Sequence, residues 1–118
     1  MHHCTYYTRP NGRKPAKEWI EAQDIRIQAS IDDMKDKLQR EDIDILVANR
    51  MLVPIREKPG GRIVPGFYEL TKHDWRVAVY YDKKRDLFVM MCGWLKKKDL
   101  QKSDVDKAIK LLQEYLAG

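Results

Sequence analysis

The side chains in this chain best suited to handling phosphate are arginines and lysines, and they gather around two points. Arg76 lies in the segment WRVAVYYD, while Lys96, Lys97 and Lys98 follow the apolar segment DLFVMMCGWL. A guanidinium can hold a phosphate through two parallel N–H bonds, an ammonium adds a compact point charge, and an aromatic ring can stack on an unpaired base. Tyr80 is the ring that shares a strand face with Arg76, and Lys72 sits on the segment before it. Together they would form a basic patch suited to RNA. Two plainer readings stand beside this one. Arg76 can be an exposed strand arginine paired with Asp74 or Asp82, and the lysine triplet can be a solvated turn.

If the patch cuts RNA, the cations would stabilise the charge of an in-line phosphoryl transition state while the 2′-hydroxyl of the RNA attacks. A lysine crowded by other cations loses basicity and can act as a base near neutral pH, and Lys96 and Lys97 are the crowded pair. The sequence offers no carboxylate pair, Ser/His/Asp set or Gly-rich phosphate loop. His73, the only histidine beyond the first three residues, reads as a solvated turn residue. His2, His3 and Cys4 lack a second ligand group, so neither a metal nor another cofactor is expected.

Twenty-three Lys and Arg against 18 Asp and Glu give a formal charge of +5, which makes polyanions or an acidic protein plausible partners. The 118 residues suit one domain, 1–118. No apolar run approaches the length of a membrane helix, and the start MHHCTYYTRP lacks the apolar core of a signal peptide, so a soluble, cytoplasmic protein is expected. Two cysteines, Cys4 and Cys92, are too few for a disulfide scaffold.

The elements that would position these residues follow from pattern. Cys4 to Thr8 reads as a first strand, and RPNGRKP as a turn leading to a helix with Pro15 in its first turn and Trp19 and Ile20 as contacts. Asp24 caps a second helix reaching about Arg40, with Ile27, Ile31, Met34 and Leu38 at helical spacing. The segment DIDILVANRMLVPI is either a short helix over about 42–49 or a connector, and REKPGGRIVPG is a loop or irregular hairpin. FYELTK, WRVAVYYD and DLFVMMCGWL then read as an antiparallel meander, followed by a helix from Ser103 whose apolar stripe is Val105, Ala108, Ile109, Leu112 and Leu116. Trp75, Val77, Val79 and Tyr81 share one face of the middle strand, and Arg76, Ala78, Tyr80 and Asp82 the other. The expected fold is a small α+β domain with helices on one face of the sheet, leaving the Arg76 face open.

The run from GFYELTKHDWRVAVYY to CGWLKKKDLQKSDVDKAIKLLQEY resembles the phage-derived, HigB-like branch of the RelE/ParE toxin superfamily. The shared features are a Tyr-Glu-Leu strand, an aromatic-Arg strand start, a Gly-aromatic strand end, a Lys-Lys pair and a final helix. YYTRPNGRKPAKEWI resembles the family's opening strand, turn and Trp-bearing helix, so the likeness spans nearly the whole chain. It implies a RelE-like fold and the toxin of a type II toxin–antitoxin module. Such a toxin would be a ribosome-dependent mRNA endoribonuclease, neutralised by a cognate antitoxin of helix-turn-helix type. It implies Arg76, Lys96 and Lys97 as catalytic residues; Lys72, Tyr80 and Lys98 of the basic patch, and Arg62 from the neighbouring loop, are expected on the RNA. Thr71 stands where the family usually has arginine, which asks Lys72 or Arg62 to supply that charge. The same fold also fits a ParE-like gyrase inhibitor without catalysis, or a degenerate toxin that only binds its antitoxin.

Overall fold

Proline fits a helix start because it has no N–H to satisfy there, and Pro15 opens α1, Pro15–Glu21. In this computed structural model, which describes residues 2–96 and 102–118, Asp24 caps α2, Ile25–Arg40: its Oδ1 accepts the Ile27 N–H at 3.0 Å. Ile31, Met34 and Leu38 line the buried side of α2. The ambiguous segment that follows divides into a short helix, α3, Ile43–Ala48, and a strand, β2, Leu52–Arg56. Arg50 makes the turn between them in the left-handed region, φ 60°. There its own N–H reaches the Val47 carbonyl at 3.0 Å, and the Met51 N–H reaches Leu46 at 2.9 Å. This pair of bonds is the Schellman closure, with arginine where glycine is usual.

The sheet has five strands in the order β1-β5-β4-β3-β2. β1, His3–Tyr6, pairs in parallel with β5, Leu87–Leu95, at one edge. β3, Ile63–Lys72, and β4, Trp75–Asp82, are joined by the tight turn His73–Asp74, with Lys72 opposite Trp75 and Thr71 opposite Arg76. The antiparallel part is therefore four strands, because β3 begins four residues before the expected Phe67 and pairs with β2. Between Ala78 and Val79 the register with β5 slips, Ala78 pairing with Cys92 and Val79 with Met90. The extra residue is Met91, and the bulge turns both Met91 and Cys92 toward the same face. At Gly93 an added Cβ would come within 2.3 Å of the Trp19 ring, so α1 lies directly on the β5 backbone.

Two cores result. The first packs α1, α2 and α3 on Trp75, Val77, Val79, Phe88 and Met90. The second packs α4, Lys102–Ala117, through Ala108, Leu111 and Leu112 on Ile55, Phe67, Ala78, Met91 and Trp94. The helices therefore flank both faces of the sheet, not one. The physical reason is that the bulge and Phe67 make the second face apolar in its middle, where alternation along β4 alone suggested an open polar surface. Leu111 is buried there in place of Leu116, which is 58% exposed. No helix among the described residues is long and apolar enough to cross a membrane.

Candidate functional site

Arg76 occupies the end of the α4-side face, between Thr71 on β3 and Trp94 on β5. Its Nη1 donates to the carbonyl oxygens of His73 at 2.9 Å and Trp75 at 2.7 Å. The guanidinium is thus anchored to the β3–β4 turn by one nitrogen. Among the described residues it makes no ion pair, so pairing with Asp74 or Asp82 does not occur; Asp82 instead accepts from the Tyr115 hydroxyl at 2.7 Å. Lys96 continues past β5 beside the same turn, its N–H bonded to the Asp74 carbonyl at 2.6 Å and its side chain exposed. Arg76 and Lys96 are accordingly brought to one end of the sheet.

The other expected site residues distribute differently. Lys72 faces Trp75 across the β3–β4 pair and so belongs to the opposite sheet face from Arg76. Arg62 immediately precedes β3, nine residues from Thr71, roughly 25–30 Å along an extended strand, and cannot supply a charge beside it. Tyr80 is on the Arg76 face, but half-buried in the second core, its ring 5.9 Å from that of Tyr115. α4 covers it, which alternation could not reveal. Lys97 and Lys98 lie outside the described residues.

Two residues not singled out by sequence pattern share this end. Thr71 Oγ1 donates to the Arg50 carbonyl at 2.9 Å, bringing the exposed Arg50 alongside the position opposite Arg76. Glu69 pairs with Ala78, which places it diagonally across from Arg76 on the same face, with Cβ atoms ~7–8 Å apart. Burial raises the Glu69 pKa, and the nearby Arg76 charge pulls it part of the way back. Its carboxylate makes no hydrogen bond among the described residues. A groove of about 360 Å³ opens beside it, floored by Val53, Ile55 and Val105 and flanked by Lys102 and Asp106. The signal for Glu69 was in the sequence: a two-residue turn at His73–Asp74 fixes the whole β3–β4 register.

At the far end of α4 a polar clasp fastens the helix. Glu114 accepts from the Tyr7 hydroxyl at 2.7 Å and from Arg9 Nε and Nη2 at 3.1 Å each, which holds its pKa below the usual carboxylate range. His2, one of the early histidine pair, bonds Asp86 at 2.6 Å. Among the described residues no group of three His, Cys, Asp or Glu is gathered to hold a metal ion.

What the arrangement can do chemically is hold an anion at the Arg76–Lys96 end of the sheet, beside a carboxylate of raised pKa. No protein-family model matches the chain, and no curated protein matches it in sequence. Among solved structures it is similar to a chain of the toxin–antitoxin complex RelBE2 from Mycobacterium tuberculosis. The TM-score is 0.57 at 16% identity, over 80% of this chain and 91% of that one. The likeness is one of fold alone: the mixed α+β fold of this chain is similar to that of the neighbour.

Proposed function

We propose that the chain, as one domain over residues 1–118, is the toxin of a type II toxin–antitoxin module in the HigB-like, phage-derived branch. It acts in the cytoplasm as a ribosome-dependent mRNA endoribonuclease without a metal or other cofactor. The observation that carries this reading is Arg76: in a RelE-like fold, it stands at the end of the central strand held by a single nitrogen, with Lys96 beside it. Arg76 clamps the scissile phosphate and stabilises the transition state, and Lys96 and Lys97 stabilise charge or act as base, with Lys98 as a further RNA contact. Lys72, Arg62 and Tyr80 have weaker claims given their places in the fold.

The partner is a cognate antitoxin, which the solved neighbour being part of a toxin–antitoxin complex supports, and by our reading it is of helix-turn-helix type. Expression of the chain alone should arrest growth, and message on ribosomes should acquire new 5′ ends in primer extension. Normal growth at verified expression contradicts the toxin reading. Arrest with intact message and inhibited supercoiling points instead to a ParE-like gyrase inhibitor.

A further inference from the structure

Resting on the ribonuclease reading above, we infer that Glu69 is the general base of the reaction, accepting the proton of the attacking 2′-hydroxyl, which leaves Lys96 and Lys97 the charge-stabilising role alone. Three observations support the role. Glu69 lies on the sheet face of Arg76 and diagonal to it, so a phosphate held by the guanidinium places its neighbouring ribose within the reach of this carboxylate. The carboxylate is only partly buried, beside a groove of about 360 Å³ whose apolar floor can receive a base. Finally, it spends no hydrogen bond on the protein among the described residues, whereas Asp82, Asp86 and Glu114 are each committed to a tyrosine hydroxyl.

The charged groups around Glu69 are Arg76 from β4, Lys102 and Asp106 from α4, and Arg56, Glu57 and Lys58 from β2 and its hairpin. Burial raises the carboxyl pKa and the Arg76 charge lowers it only in part, so the group is a stronger proton acceptor than an ordinary carboxylate. A carboxylate fully neutralised by the arginine would be a poor proton acceptor.

In the step, Glu69 takes the 2′-hydroxyl proton as the 2′ oxygen bonds to phosphorus. The P–O5′ bond breaks with its electron pair on the departing oxygen, which takes a proton from water. The ends left are a 2′,3′-cyclic phosphate and a 5′-hydroxyl.

The test is single-turnover cleavage of message on programmed ribosomes by the full-length wild type and Glu69→Gln, from acid to neutral pH, with thermal melts and ribosome pelleting alongside. The wild-type rate should rise with pH as Glu69 ionises. Glu69→Gln should stay folded and ribosome-bound, lose about a hundredfold or more in kcat, and lose the acid limb of the profile. A variant that retains the acid limb, or that is impaired only in KM, makes Glu69 a counter-ion for Arg76 and overturns the assignment alone. A wild type that cuts nothing overturns the assignment together with the ribonuclease reading.

Discussion

The hydroxyl of Thr71 is hydrogen-bonded to the carbonyl of Arg50 at 2.9 Å, and Thr71 is itself the direct cross-strand partner of Arg76. One small side chain thus joins the turn after α3 to the central strand of the site. Thr71 thereby brings the Arg50 backbone beside the strand position opposite Arg76.

A consequence concerns Arg50 itself. A non-glycine residue in the left-handed region costs roughly 1–2 kcal/mol, so Arg50→Gly should raise the unfolding free energy by about 1 kcal/mol in a denaturant titration. If the Arg50 charge also serves RNA, the same variant should bind ribosomes more weakly, with a salt slope shallower by about 0.7 for one lost phosphate contact. A stabilised variant with an unchanged slope would confine Arg50 to its turn.

Gly93 offers a test of packing. Because a Cβ there would meet Trp19 at 2.3 Å, Gly93→Ala must push α1 away from β5. The expected cost is about 1–3 kcal/mol, read as a fall in melting temperature. An unchanged melt would mean that α1 does not lie on that strand.

Glu69 and Glu114 should shift stability with pH in opposite senses. Glu69 has a raised pKa when folded, so its contribution is fully present below the unfolded value and is lost as pH rises through the folded one. Glu69→Gln, which mimics the protonated group, should therefore melt higher than wild type at neutral pH, with the gap closing in acid. Glu114 has a lowered pKa, chiefly through Arg9, so its contribution is present above the unfolded value and is lost as pH falls through the folded one. Glu114→Gln should melt lower than wild type at neutral pH and converge with it in acid. Paired melts across this range check both signs.

Much of this architecture was legible because strands and helices print their periods on the sequence. Alternation along WRVAVYYD gave the two faces of β4, and Asp24 with the Ile31, Met34 and Leu38 spacing gave α2. The coverage of Tyr80 was not legible, since it depends on the Met91 bulge and on where α4 lies, both tertiary facts. Arg62 looked close to the site only because the pattern starts β3 at Phe67; the strand begins four residues earlier, at Ile63, which carries Arg62 to the far end. Arg50 escaped pattern reading because arginine rarely takes the left-handed turn position, and Glu69 because its importance lies in a diagonal across two strands.

The most direct test of the central claim is primer extension on ribosome-bound message with wild type, Arg76→Ala and Arg76→Lys, each verified as folded. Arg76 lies at the margin of the second core, so its loss should leave the fold intact while cleavage falls by about a hundredfold or more. Lysine should restore only part of the rate, because an ammonium lacks the planar fork that grips two phosphate oxygens. Cleavage by Arg76→Ala at the wild-type rate, or no cleavage by the wild type itself, would contradict the account.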